Sequence, residues 1–169
     1  MSTVQRVNFE PVSDLFLTQR RDYPLADPTL ANPLNAAALV DGEWVKLDTA
    51  GKLLRAATLA SVGDPATVPS TPLWSERGRS DTQSVRKHTT LVGGWYEADT
   101  RIFDAAATIG GAAAITTVGQ ALKVATVTIG ARNYCGLVGA LNTDPYIVGY
   151  VTKLPANNGG KLRFSAKSR

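Results

Sequence analysis

Apolar and polar positions alternate most regularly in the last quarter of the chain. Residues 146–154 (Tyr-Ile-Val-Gly-Tyr-Val-Thr-Lys-Leu) read as a strand, Asn157-Asn158-Gly159-Gly160 as a tight turn, and residues 161–166 as the returning strand. Asn and Gly accept the positive φ that tight hairpin turns require. The same signature recurs upstream. Residues 36–40 lead through Asp41-Gly42 into residues 43–47, and Asp48-Thr49-Ala50-Gly51 turns the chain into residues 52–56, which predicts a meander. Residues 85–92 and 95–100, split by Gly93-Gly94, and residues 120–129, closed by Gly130, add further strands. Residues 105–119 are dominated by Ala, Gly and Thr, and their periodicity fits a small helix or a bulged strand equally. The pattern as a whole predicts an all-β fold.

Two stretches depart from it. Residues 1–35 carry Pro11, Pro24, Pro28 and Pro33, each of which removes a backbone donor and pushes its predecessor into extended geometry. Ser13-Asp14 could cap a short helix that Pro24 would end. The segment reads as an extended N-terminal arm on a body of residues 36–169. Its apolar residues Val4, Val7, Phe9, Val12, Phe16 and Leu17 are candidate anchors, packed either on the chain's own body or on a neighbour. Residues 58–84 read as a long loop, a length that often marks a binding segment. Trp74 is the candidate anchor within it, seated in the core or in a partner's pocket.

Composition narrows the function classes. The chain has 169 residues, enough for one domain with an arm. Charged residues make up 19%, which leaves neutral surface available for contact. The net charge of +4 is uneven: residues 1–104 hold 11 Lys/Arg against 13 Asp/Glu, whereas residues 105–169 hold 7 Lys/Arg and Asp144 alone. Such a basic half suits phosphate, an acidic protein surface or simple solvation. Cys135 is the single cysteine, so no internal disulfide framework exists, and its apolar neighbours predict a buried, inert thiol. No apolar run reaches bilayer length and no signal peptide opens the chain, so no membrane partner is expected.

Catalysis and metal binding find little support. His88 is the single histidine and is flanked by Arg86 and Lys87, which repel metal ions. A triad with Asp81 and Ser84 can be drawn, but no nucleophile elbow accompanies it. No phosphate loop, zinc spacing or calcium loop is present, so the expectation is a non-enzyme without cofactor, metal or small-molecule substrate. Arg77, Arg79, Arg86 and Lys87 lie between Trp74 and Trp95-Tyr96, which could form a single-strand stacking groove. Glu76, Asp81, Glu97 and Asp99 dilute that charge and argue against nucleic acid.

The order of the pieces resembles the capsid decoration (cement) proteins of tailed bacteriophages. The residues that carry the likeness are 39–53 (Leu-Val-Asp-Gly-Glu-Trp-Val-Lys-Leu-Asp-Thr-Ala-Gly-Lys-Leu), 90–100 (Thr-Leu-Val-Gly-Gly-Trp-Tyr-Glu-Ala-Asp-Thr), 148–153 and 158–164. The likeness covers roughly residues 36–166, and the proline-containing arm also looks like that family's capsid-gripping arms; residues 58–84 have no counterpart. The resemblance implies a small β-barrel or β-tulip body, a homotrimer, and the major capsid protein as partner. It implies a place on the outer surface of the virion head, after synthesis in the host cytoplasm. There the protein would tie neighbouring capsomers together, and its arm would add a strand to a capsid-protein edge. The alternatives are another phage structural part, such as a tail or head-completion component, and a single-stranded nucleic-acid-binding module.

Overall fold

The computed structural model describes residues 9–12, 19–31, 38–40, 42–56, 71–72, 87–92, 94–144, 147–156 and 160–168. They are built almost wholly from strands, with a 3-10 turn at Pro28–Ala31, so the chain is all-β. No closed barrel forms among the described residues. A seven-stranded sheet runs in the order β1 (Phe9–Pro11), β7 (Gly94–Thr100), β12 (Leu162–Ser168), β11 (Gly149–Lys153), β9 (Ala121–Ile129), β10 (Arg132–Gly139), β8 (Phe103–Asp104). Its pairs are antiparallel except β8–β10. β2 (Gln19–Pro24) pairs with β6 (Lys87–Val92), and β3 (Trp44–Leu47) lies between β4 (Leu53–Arg55) and β5 (Thr71–Pro72).

Local turn chemistry accounts for the hairpins. Between β3 and β4, Asp48 accepts through Oδ1 from the N–H groups of Ala50 and Lys52, each at 2.8 Å, and Gly51 takes a φ of 74°. The strand expected at residues 36–40 does not extend through 38–40. There Val40 turns back, donating its N–H to Glu43 Oε2 at 2.9 Å while its carbonyl accepts from the Glu43 N–H. Residues 105–119 are neither helix nor strand. Asp104 accepts from the N–H groups of Ala106 and Thr108, on either side of Ala107, which holds a φ of 57°. Left-handed glycines at 111 and 119 complete a chain of turns. The loop expected over 58–84 contributes β5 at its described part, and Pro72 there lies on an edge strand, where a missing N–H costs nothing.

The arm runs antiparallel along one stretch of the chain, from β7 back to β6. Phe9 pairs with Thr100 and Pro11 with Ala98, and the Val12 N–H donates to Glu97 O at 2.8 Å; Gln19 pairs with Val92 and Pro24 with Lys87. Residues 13–18 separate the two stretches on one side and 93–96 on the other, so the register slips by two where the chain passes from one sheet to the next. Residues of an antiparallel pair alternate between bonding inward and pointing away. The Val12–Glu97 bond therefore turns the backbones of Phe9 and Pro11 to the sheet's outer edge. Pro11 has no N–H to offer there, and the edge is blunted against a further strand.

One face of the large sheet and one residue of the small sheet make the main core. Tyr96, Ala98, Leu122, Leu137, Val151, Leu162, Phe164 and Ala166 point inward, each in step with the period of two. Phe164 is the hub. Its ring lies 6.5 Å from Phe9, 6.0 Å from Trp44 and 6.1 Å from Tyr96, joining β1, β3, β7 and β12. Leu25, Leu39, Val45 and Leu53 pack separately beneath the small sheet. At the β9–β10 end the opposite face is also covered, because Ile102 packs on Val127 and Val138. Gly136 makes that approach possible: a Cβ there would lie 2.6 Å from Ile102 O and 2.5 Å from Val127 Cγ2.

Glu43 fastens the two sheets. Its side chain is fully buried and paired with Arg55 at 3.1 Å. Leu137 donates its N–H to Ile102 O on the β8 side of β10, so the Cys135 N–H points the same way, beyond the end of β8. Glu43 Oε1 accepts it at 3.2 Å and stands in for the missing strand.

Candidate interaction surface

Among the described residues no group of His, Cys, Asp and Glu is placed to hold a metal ion. His88 contributes backbone to β6, opposite Tyr23, while Asp81 and Ser84 lie outside the described residues. Cys135 is buried in β10. Of the aromatic–basic segment, Trp74, Arg77, Arg79 and Arg86 lie outside the described residues, and Lys87 opens β6. No helix among the described residues is long and apolar enough to cross a membrane.

Of the arm anchors, Phe9 is placed in the chain's own core at 2% exposure, and Val12 is 41% exposed on the sheet's outer face. Val4, Val7, Phe16 and Leu17 lie outside the described residues. Phe9 is thus a root for the arm, and Val12 is the described anchor that a partner can reach.

A second set of exposed apolar residues lies in the segments that flank β9. Val118 is 63% exposed, Leu141 40% and Ile147 37%. Backbone hydrogen bonds bring their segments together around the start of β9. Gly119 donates its N–H to Val151 O, Ala140 to Ala121 O, and Val148 to Leu122 O, at 2.7, 2.9 and 2.9 Å. Sequence reasoning missed this rim because its residues are isolated in turn segments.

Polar side chains hold the rim in place. Lys123 Nζ donates to Asp144 Oδ1 at 2.9 Å and also to Gly111 O, joining the 105–119 loop to the turn that follows β10. Asp144 Oδ2 accepts from the Leu141 N–H at 2.6 Å. Gln120 spans the loop, accepting from the Thr116 N–H at 2.9 Å and donating to Ala114 O at 2.6 Å. Burial pushes the Asp144 carboxyl up, but the hydrogen bonds from Lys123 and Leu141 and the lysine charge outweigh it, and its pKa falls below the ordinary carboxylate value. Asp104 behaves alike: burial raises it, and donation from Thr108 and Ala106 brings it down.

A depressed folded-state pKa contributes stability above the unfolded-state value, and that stability is lost as pH falls through the folded value. Asp144→Asn is therefore expected to be less stable than the parent at pH 7, with the gap closing under acid conditions. Urea midpoints of the two proteins between pH 7 and pH 3 check this, and a gap that is constant with pH would refute it.

The chain matches no known protein family, no curated protein and no solved structure.

Proposed function

We propose that this chain is a capsid decoration (cement) protein of the tailed-phage kind, a non-enzymatic clamp on the outside of the virion head. In this reading it is a homotrimer whose bodies have the β-barrel or β-tulip form of that family. It binds the major capsid protein at capsomer junctions and stabilises the shell by summing modest contacts over several subunits. The observation that carries the reading is the set of exposed apolar side chains Val118, Leu141 and Ile147, with the Val118 and Leu141 segments tied by the hydrogen bonds of Gln120, Lys123 and Asp144. Preformed apolar surface of this kind lowers the ordering cost of association and suits a contact made by many copies at once. The arm adds a second attachment. Phe9 roots it, Pro11 stops the sheet edge from recruiting strands indiscriminately, and Val4, Val7, Val12, Phe16 and Leu17 remain as the capsid-reaching candidates.

Sedimentation of the purified protein, followed by co-sedimentation with expanded phage heads, tests this. A discrete trimer that saturates heads is expected, and Val118→Asp with Leu141→Asp should abolish trimer formation, head binding or both while the body stays folded. A monomer that ignores heads ends the proposal. Large rings or tubes would move the assignment to a tail or head-completion part, and retention of single strands at low salt would move it to nucleic-acid binding.

A further inference from the structure

The outer face of the large sheet, away from the rim, carries two exposed aromatics on a polar ground. Trp95 on β7 is 56% exposed and Tyr150 on β11 is 46% exposed. Both point outward, because their neighbours Tyr96 and Val151 point into the core. Trp95 pairs with Lys167 and Tyr150 with Ser165, so the aromatics lie two strands and two residues apart, a diagonal of about 12 Å from ordinary strand spacings. A hydrogen-bonding strip runs beside them, in the row beyond Tyr150 and away from Trp95. Thr152 Oγ1 donates to Glu97 Oε1 at 2.6 Å, and Arg163 grips Asp99 with two bonds at 2.8 and 3.1 Å. Small neighbours, Ser165 and Ala121, flank Tyr150 in its register row.

We infer that this face binds a neutral glycan, a short run of pyranose rings lying across β7, β12 and β11. The charge pattern selects the ligand class. Asp99 is matched by Arg163 and Glu10 by Lys161, so the strip has little net field to attract an ion. A protein partner favours a continuous apolar centre, whereas here the aromatics are separated stations with Ser165 of β12 between them and the polar strip to one side. A sugar chain has the complementary construction: C–H faces stack on the electron-rich faces of aromatic rings, and hydroxyl rims exchange hydrogen bonds with carboxylate, guanidinium and hydroxyl groups. The glycan site is independent of the rim, so a decoration protein fixed by its rim could present this face to its surroundings.

Native electrophoresis of the full chain through gels containing laminarin, hydroxyethylcellulose or dextran, with pull-down on insoluble cellulose and chitin, tests the inference. At least one polysaccharide should retard or retain the protein. Trp95→Ala and Tyr150→Ala should each weaken that binding at least tenfold without shifting the melting curve, and Ile129→Ala, an exposed apolar change at the β9–β10 turn, should leave it intact. Failure of all five polysaccharides to bind overturns the inference, as does binding that both aromatic variants retain. Loss of self-association in Trp95→Ala without any polysaccharide binding gives the face to a second copy of the chain and overturns it equally.

Discussion

Arg55→Ala is expected to lower the unfolding free energy by about 3–5 kcal/mol, the usual cost of stranding a buried charge. The stranded group is Glu43, whose side chain is fully buried. Its Oε1 accepts from Arg55 Nε at 3.1 Å and from the Cys135 N–H at 3.2 Å, and its Oε2 accepts from the Val40 N–H at 2.9 Å and from Arg55 Nη2 at 3.3 Å. Without the guanidinium, two backbone donors remain but the countercharge is gone. The arginine also donates to Ala38 O at 3.0 Å, so the segment entering β3 loses a tether at the same time. Arg55→Lys keeps the charge and loses the planar fork, so a smaller loss is expected. Urea unfolding monitored by far-ultraviolet circular dichroism orders the three proteins. An Arg55→Ala midpoint within error of the parent would show that the buried pair contributes nothing to stability.

Phe164→Ala is expected to cost a further-reaching 3–5 kcal/mol or about 10 °C in Tm, from the usual range for a deleted core aromatic and the usual slope for a chain of this size. The ring is fully buried and touches an aromatic from each of β1, β3 and β7. The cavity would open where the arm, the small sheet and the large sheet meet, so the region cannot collapse without moving all three. The surroundings are already constrained: the Tyr96 hydroxyl is buried with no hydrogen-bond partner among the described residues, and burial pushes its pKa well up. Phe164→Leu fills much of the space and should recover most of the loss. A thermal melt separates the two variants, and equal melting for alanine and parent would place the core elsewhere.

The strands that sequence patterning predicts are those with local punctuation. The closing hairpin, the β3–β4 turn at Asp48 and Gly51, the β6–β7 pair and β9 all combine alternation with a turn residue of known chemistry. β10 escaped because residues 135–140 are buried without interruption. A strand covered on both faces loses its period of two and reads as a neutral apolar run. Glu43 escaped for a different reason. In sequence it is an ordinary polar residue beside Trp44, and its partner Cys135 is 92 positions away. The arm was legible as an extended segment with apolar anchors, but nothing local shows that Phe9 belongs to the core while Val12 faces outward. The rim could not be read at all, since Val118, Leu141 and Ile147 belong to three segments distant in sequence, whose neighbouring residues are tied to β9 or β11 by backbone bonds.

The placement of β12 bears on how the large sheet is assembled. β12 lies between β7 and β11, in the interior of the sheet. Without it, the strands on its two sides have no neighbour to join them, and the large sheet is two unfinished halves. Completion of that sheet therefore waits on long-range pairing of β12 with β7. A variant that unseats β12 would part the halves, and proteases would meet it as an open substrate.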